Sequence, residues 1–251
     1  MSGGPSAMAG VRRLRLALLG LACAWPLQAP AADAPRVTLI RVDASRVHLR
    51  LFLRDAAGQP YRTFDRIEAD LRPGGRHLAV AMNAGMYQPD LSPVGLLVAD
   101  GRTLHALDTA PGSGNFYLQP NGVFVVTAQG ARIIPTGDYA SAPPPGVVQA
   151  TQSGPLLVWH GSLAPAVAAP PGDPAKASRY TRNGVCVDGN TVTLAIADSP
   201  MTLREFAVHL RDQAGCRDAL YLDGAISKLF DRRSGRDDRS GDMGPILAVV
   251  E

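Results

Sequence analysis

One carboxylate, Asp223, stands where a short apolar run of the chain ends. Residues Ala219–Leu222 are all apolar, which predicts a buried strand, and Asp223-Gly224 is a dipeptide typical of turns. A carboxylate at the mouth of a buried strand can act as a nucleophile or a general base. The alternative is a structural role, because the side chain of an Asp at this position also caps an Asp-Gly turn by hydrogen-bonding to the nearby backbone.

Two other stretches share this design of an apolar strand that ends in a polar tip. The stretch Leu78–Tyr87 contains Asn83, and the stretch Leu194–Pro200 contains Asp198. We expect the three tips to converge on one site. Asp198 is the second catalytic candidate, although Asp198-Ser199-Pro200 could equally begin the turn into the following helix. Asn83 could bond a ligand or hold its own loop.

The elements that must position these tips are mostly short strands. The chain contains 26 glycines and 21 prolines, which favours many turns over long helices. We therefore predict an α+β fold of mixed, mainly antiparallel β-sheets with a few short helices. Local patterns predict a strand hairpin or edge pair (Val37–Val42, Val47–Leu53), a helix over Thr63–Leu71, a hairpin through Asp188-Gly189-Asn190 and a helix begun by the capping box Thr202–Glu205.

The N-terminus has the three-part pattern of a signal peptide, predicted over residues 1–32. A basic start (Arg12, Arg13, Arg15) precedes the apolar run Leu14–Trp25, which is too short for a membrane anchor, and Ala29-Pro30-Ala31 suits cleavage. We therefore expect a periplasmic or secreted protein whose mature chain has no membrane span. Removal of residues 1–32 leaves 22 basic and 22 acidic residues. The mixed-sign run Arg232–Arg239 is expected to be a solvated loop, and no basic stripe favours nucleic acid as a partner.

Three cysteines are present, and Cys23 would leave with the signal peptide. Cys186 and Cys216 then form an even pair in an oxidising compartment, which favours a disulfide. Closing a loop of about 30 residues would stabilise the fold by roughly 3 kcal/mol. The alternative is two buried free thiols, while a metal site is disfavoured because no Cys-x-x-Cys or clustered His accompanies them.

Five motifs, in order along the chain, resemble those of the phosphodiester glycosidase family, whose bacterial members are often exported. The last, Leu222–Ser227, resembles the Leu-Asp-Gly-Gly-x-Ser motif of that family. The arginine motif leaves Arg179 and Arg182 as alternatives. The others are Asn83–Tyr87 with Pro93–Gly95, Ser153–Leu157, Arg179–Val185 and Met201–Phe206. The resemblance implies a domain over residues 76–251, preceded by the predicted strand pair and helix of residues 33–75.

The resemblance implies cleavage of the bond between a sugar and a phosphodiester oxygen, with Asp223 and Asp198 as catalytic candidates. Arg182 would grip the phosphate with a bidentate fork or is a surface arginine, and Tyr87 would stack on a sugar or pack at the rim. No Gly-x-Ser-x-Gly surrounds Ser153, so we do not interpret it as a nucleophile. The predicted substrate-binding residues are Asn83, Gly85, Tyr87, Ser153, Arg182, Gly224 and Ser227.

No cofactor is predicted. Asp223, Asp198 and Asn83 offer hard oxygen ligands that could bind a divalent cation, but their spacing does not require one. Ala84 and Ala225 replace glycines of the family motifs and add methyl groups near the expected sugar pocket. The first functional hypothesis is therefore an exported glycosidase acting on an envelope or extracellular glycan. The alternatives are a non-catalytic glycan-binding or envelope-scaffold protein on the same fold and a secreted protein-binding module.

Overall fold

Short strands with strongly apolar sequences dominate the protein. Their short length agrees with the many turns that the glycine and proline content predicts. The computed structural model describes residues 1–4, 36–170, 172 and 177–251. Residues 5–32 of the predicted signal peptide lie outside them. The strands that it describes are β1 (Val37–Asp43), β2 (His48–Phe52), β3 (Leu78–Asn83), β4 (Leu97–Ala99), β5 (Arg102–His105), β6 (Gly122–Thr127), β7 (Gly130–Pro135), β8 (Gln149–Ser153), β9 (Leu156–Trp159), β10 (Ser162–Leu163), β11 (Asn183–Asp188), β12 (Thr191–Ala197), β13 (Asp218–Asp223), β14 (Leu229–Asp231), β15 (Arg236–Asp237) and β16 (Ile246–Val250).

The strands form three sheets in which every described pairing is antiparallel. The first sheet has the order β1-β12-β11-β13-β9-β10, the second β15-β14-β3-β16-β2 and the third β5-β4-β8-β6-β7. The helices are short: α1 (Phe64–Leu71), α2 (Thr136–Ser141), α3 (Pro165–Ala168), α4 (Leu203–Asp212) and two 3-10 turns, Arg72–Gly74 and Asn115–Tyr117. The predicted α+β class with mainly antiparallel sheets is confirmed.

The main core is shared by the three sheets, which explains why many strands are buried along their whole length. Leu51, Leu97 and Leu156 come from three different sheets, and all belong to one apolar cluster. A second cluster packs Phe64, Ile67 and Leu71 of α1 against the second sheet. The described residues from 36 onward form one compact unit. In the described part of the chain, no helix has the length and apolar character needed to span a membrane.

The first two strands, predicted as a hairpin or an edge pair, do not pair with each other, although each lies at the edge of its sheet. β1 pairs with β12 in the first sheet, where Val37 lies opposite Ala197, whereas β2 pairs with β16 in the second sheet. The turn after Asp43 carries the chain from one sheet to the other. Alternation of apolar residues marks the buried face of a strand, but it does not name the neighbouring strand. Both true partners come from the C-terminal half of the chain.

Predictions that rest on local patterns are confirmed. The predicted helix over Thr63–Leu71 is α1, and the Asp188-Gly189-Asn190 turn joins β11 to β12. Thr202 accepts the backbone N–H of Glu205, and the Glu205 side chain accepts that of Thr202, so the capping box opens α4. These local signals are reliable because the residues that interact in each of them lie within a few positions of one another in the sequence.

The predicted disulfide is also confirmed. Cys186 of β11 is bonded to Cys216, which follows α4, with 5.6 Å between their Cα atoms. Both half-cystines are buried. The bond closes a segment of 30 residues that contains β12 and α4, so it restricts the unfolded chain and holds α4 against the first sheet.

Candidate active site

Two buried asparagines join the first sheet to the second at the point where β3 and β13 end. Asn183 and Asn83 are both completely buried. The Asn183 Nδ2 donates to the backbone oxygen and to the Oδ1 of Asn83, each at 2.9 Å. Its Oδ1 accepts the backbone N–H of Asp223 at 2.8 Å. Asn183 therefore fixes the backbone of Asp223 relative to the neighbouring sheet.

Asn83 fixes the other end of the same segment, which we call the tip loop (residues 223–228). The Asn83 Oδ1 accepts the backbone N–H of Lys228 at 2.9 Å, and its Nδ2 donates to the Ile226 carbonyl oxygen. The two asparagines thus bracket the tip loop from both sides. The structural role considered for Asn83, that of holding a loop, is the one its hydrogen bonds perform.

Asp223 lies within the tip loop as a nearly buried carboxylate, with 6% of its surface exposed. Its Oδ1 accepts the backbone N–H groups of Gly224 at 2.6 Å and Ala225 at 2.9 Å. Burial raises the pKa of Asp223 to about 6, although hydrogen bonds from Ala225, Gly224 and Ile226 act to lower it. A carboxyl group with a pKa near 6 can exchange a proton close to neutral pH.

Arg182 lies beneath the tip loop and is completely buried. Its Nε donates to the Met201 carbonyl oxygen at 2.8 Å, its Nη2 to the Ser178 carbonyl oxygen at 2.8 Å, and its Nη1 to the Tyr221 hydroxyl at 2.9 Å. It is therefore not a surface arginine. These partners are neutral, and within the described ranges no carboxylate forms an ion pair with it. A buried charge held only by neutral groups favours an anion nearby.

Gly224 is required by close packing against Tyr221. A Cβ at position 224 would lie 1.9 Å from the Tyr221 hydroxyl oxygen and 3.4 Å from the Arg182 Nη1. Tyr221 is completely buried, and burial raises its pKa to about 12, with Arg182 acting in the opposite direction. The hydroxyl therefore remains protonated at neutral pH.

The Gly224→Ala substitution is expected to lower the free energy of unfolding by about 1–3 kcal/mol, because the methyl group forces Tyr221 or the tip loop to move. Gly137→Ala is a matched control, since no atom lies within 4 Å of the methyl group it would add in α2. The control should change stability by less than about 0.5 kcal/mol or raise it. Urea unfolding measures both, and equal effects would contradict the packing argument.

Four further predicted site residues have defined partners. Tyr87 donates its hydroxyl to the Asp242 carbonyl oxygen at 2.8 Å; burial, and then the charge of Asp223, raise its pKa to about 12. Ser227 donates to the Thr181 carbonyl oxygen at 2.8 Å, which ties the tip loop to the segment before β11. The others are Ser153, which donates to the Leu222 carbonyl oxygen, and Gly85, which has a φ of 79° and packs against Thr151.

Asp198 does not join this group. It lies at the end of β12, two strands away from β13, and accepts from Thr38 Oγ1 and Arg236 Nη1, each at 2.8 Å. Two of the three predicted tips, those of Asn83 and Asp223, therefore meet. Arg236 also shows that the run Arg232–Arg239 is not simply a solvated loop, because Arg236–Asp237 forms β15.

Sequence reasoning missed Asn183 and Tyr221. Asn183 lies opposite Asp223 in the antiparallel pairing of β11 with β13. A signal existed in the sequence, namely a polar side chain at the start of a predicted buried strand. The significance of Asn183 depends on the register between β11 and β13, which a polar residue at a strand start does not reveal.

Other features of the molecule lie apart from the tip loop. A cavity of about 820 Å³ is lined by His48, Arg50, Asp100, Gln149 and Asn190. Asn190 is in the turn at the opposite end of β11 from Asn183, so this cavity is remote from Asp223. Across the described ranges, no three His, Cys, Asp or Glu side chains cluster as a metal site.

Known proteins resemble this chain in sequence or in fold. The chain is 31% identical over 229 residues to the uncharacterised protein YigE of Escherichia coli (strain K12), covering 88% of this chain and 85% of that one. The catalytic domain of zebrafish N-acetylglucosamine-1-phosphodiester alpha-N-acetylglucosaminidase, auto-inhibited by its pro-peptide, superposes with a TM-score of 0.57 at 15% identity, covering 88% and 85% of the two chains. A hypothetical protein from Synechocystis superposes with a TM-score of 0.53 at 16% identity, covering 86% and 59%.

The two structural similarities establish a shared fold. The family model of the phosphodiester glycosidases matches residues 76–240, which include β3 with Asn83, β11 with Asn183 and the whole tip loop. Both the matched residues and the similarity to YigE extend over most of the chain. This chain belongs to the phosphodiester glycosidase family.

Proposed function

We propose that the protein is an exported hydrolase that cleaves the bond between a sugar and a phosphodiester in an envelope or extracellular glycan. The observation that carries this proposal is Asp223, a nearly buried carboxylate with a pKa of about 6 in the tip loop, where the buried Arg182 lies next to Gly224. Export is supported by the signal-peptide pattern and by the Cys186–Cys216 bond, since disulfides persist in oxidising compartments.

Asp223 has the properties that the glycosidic step requires. At neutral pH it is mostly ionised, because its pKa of about 6 lies below 7. It can then attack the anomeric carbon or activate a water molecule, while its charge stabilises an oxocarbenium-like transition state. Proton donation to the leaving group is less important than in ordinary glycosides, because a phosphate leaves as an anion. One carboxylate is therefore sufficient, and Asp198, engaged with Arg236, is not needed.

Arg182 supplies the positive potential for the phosphate. Its guanidinium does not form a free bidentate fork, because all three nitrogens already donate to protein oxygens. It acts instead through its charge, which is weakly screened because Arg182 is buried away from water. The zebrafish neighbour acts on N-acetylglucosamine-1-phosphodiesters, so esters of N-acetylglucosamine 1-phosphate are the first substrates to test.

Sugar release from a panel of sugar-1-phosphodiesters tests the proposal with the wild type, Asp223→Asn and Asp198→Asn. We expect release by the wild type, a loss of about 10³-fold or more in Asp223→Asn, and near-normal release by Asp198→Asn, whose lost surface ion pair is a minor effect. Equal release by the wild type and Asp223→Asn would refute the role of Asp223. Binding of the esters without release would instead support the non-catalytic glycan-binding protein.

The activity is expected to rise with pH, to be half-maximal near pH 6 and to reach a plateau roughly one pH unit higher, because Asp223 must lose its proton and its pKa is about 6. The pH dependence of kcat/KM reports this ionisation in the free enzyme. Asp198→Asn should reproduce the wild-type profile. A profile that is flat between pH 5 and 7, or that falls across this range, would show that ionised Asp223 is not the form that acts.

A further inference from the structure

Tyr180 presents an exposed aromatic ring beside the tip loop. Half of its surface, 50%, is accessible. Its backbone is held by two hydrogen bonds with Met201, from Tyr180 N to Met201 O at 3.2 Å and from Met201 N to Tyr180 O at 3.0 Å. The next residue, Thr181, accepts the Ser227 hydroxyl of the tip loop. The exposed ring is therefore attached to a backbone that is fixed relative to Asp223.

The inner face of this ring covers the guanidinium of Arg182, whose central carbon lies 5.6 Å from the ring centre. Tyr221 lies 5.5 Å from the same guanidinium carbon. Because the Arg182 Nη1 lies 3.4 Å from the Cβ position of Gly224, Arg182 connects Tyr180 to the tip loop. The inner face of the Tyr180 ring is thus occupied by protein, and the exposed part is available to a ligand.

We propose that Tyr180 is the platform for the leaving group, the part of the substrate esterified to the phosphate on the side away from the cleaved sugar. This inference rests on the proposed function for its substrate class. Asp223 must face the anomeric carbon, and the charge of Arg182 attracts the phosphate. The group beyond the phosphate then lies over Tyr180, where a flat or ring-shaped group stacks on the exposed aromatic face.

Tyr87, another aromatic side chain close to Asp223, is less suited to this role. The Tyr87 hydroxyl is bound to the Asp242 carbonyl oxygen, and its ring atoms lie about 2.5–2.8 Å from where a Cβ on Gly244 would be. Its ring is thus partly covered by the loop before β16. Half of the Tyr180 surface is exposed, which makes it the residue that distinguishes one leaving group from another.

Two leaving groups, one with an aromatic ring and one without, test the platform. Hydrolysis of a phenyl or methyl ester of N-acetylglucosamine 1-phosphate releases the sugar together with phenyl phosphate or methyl phosphate. We expect the wild type and Tyr180→Phe to prefer the phenyl ester in kcat/KM by about three- to tenfold. Tyr180→Ala should lose most of this preference, because its rate with the phenyl ester falls further than its rate with the methyl ester. A purely structural role would lower both rates equally.

Binding of the two phosphate products provides a readout that does not need turnover. Calorimetric titration should show phenyl phosphate binding about three- to tenfold tighter than methyl phosphate to the wild type and Tyr180→Phe, and equally to Tyr180→Ala. A preference that survives in Tyr180→Ala, or that is absent in the wild type, overturns the platform. Absence of sugar release from either ester would refute the proposed function, while the titration would still decide the role of Tyr180.

Discussion

At pH 8, the Asp223→Asn protein is expected to unfold with a free energy about 3 kcal/mol higher than that of the wild type. The wild-type fold contains an ionised carboxylate that is only 6% exposed, and burial is the largest influence on its pKa. Raising the pKa of this group from 3.8 to about 6 corresponds to about 3 kcal/mol of destabilisation once it is ionised. Asn remains neutral, keeps an oxygen acceptor for the tip-loop N–H groups and has nearly the same size.

The stability difference should depend on pH in a defined direction. Below pH 3.8 the carboxyl is protonated in both the folded and the unfolded chain, so the two proteins are equally stable. Between pH 3.8 and about 6 it ionises first in the unfolded chain, and the wild type loses stability relative to Asp223→Asn. Above about pH 6 the difference is constant.

Urea unfolding at intervals from pH 4 to pH 8 measures this difference. Asp188→Asn is the matched control, because Asp188 is an exposed carboxylate in the turn at the far end of β11. A pH-independent difference, or an Asp223→Asn protein less stable than the wild type at pH 8, would show that the buried charge is compensated in the fold. The expected result, greater stability with loss of activity, is typical of a catalytic residue kept at the expense of stability.

The position of Asp223 at the end of a buried strand could be predicted from the sequence because its signal is local. An apolar run that ends in Asp-Gly has few structural interpretations, and β13 ends at Asp223 as expected. The same local signal did not predict that Asp198 lies apart from the tip loop. Its side chain is engaged by Arg236, which lies 38 residues further along the chain, and no local pattern predicts that contact. A polar residue at a strand end is therefore a candidate site residue, and tertiary contacts decide whether its side chain lies in the site.

The setting of Asp223 could not be predicted, because it depends on the register between strands. Asn183 reaches Asp223 only because β11 and β13 place these two residues opposite each other, at an irregularity in the pairing. Arg182, the preceding residue, enters the core for the same reason. The wrong partner for β1 has a similar cause, since β12 lies more than 140 residues away in sequence. Periodicity gives the buried face of a strand, whereas the choice of neighbour belongs to the whole fold.

The amide pair is the part of the site whose removal should destabilise the protein most. Asn83→Ala leaves the backbone N–H of Lys228 and the carbonyl of Ile226 without their partner, and Asn183→Ala does the same to the N–H of Asp223. Because all of these groups are buried or partly buried, each substitution is expected to lower the free energy of unfolding by about 2–4 kcal/mol. Sugar release should fall in parallel, since the tip loop loses the contacts that hold Asp223.

A double-mutant cycle separates the pair from its surroundings. Either substitution removes the hydrogen bond from Asn183 Nδ2 to Asn83 Oδ1, so the double substitution should cost about 1–3 kcal/mol less than the sum of the single ones. Ser153→Ala combined with Asn83→Ala is the matched control, because Ser153 donates to the Leu222 carbonyl oxygen and shares no hydrogen-bond partner with Asn83. The control pair should be additive to within about 0.5 kcal/mol. Additivity of the Asn83 and Asn183 substitutions would mean that the two amides act independently, and that the tip loop is held by each sheet separately instead of by the link between them.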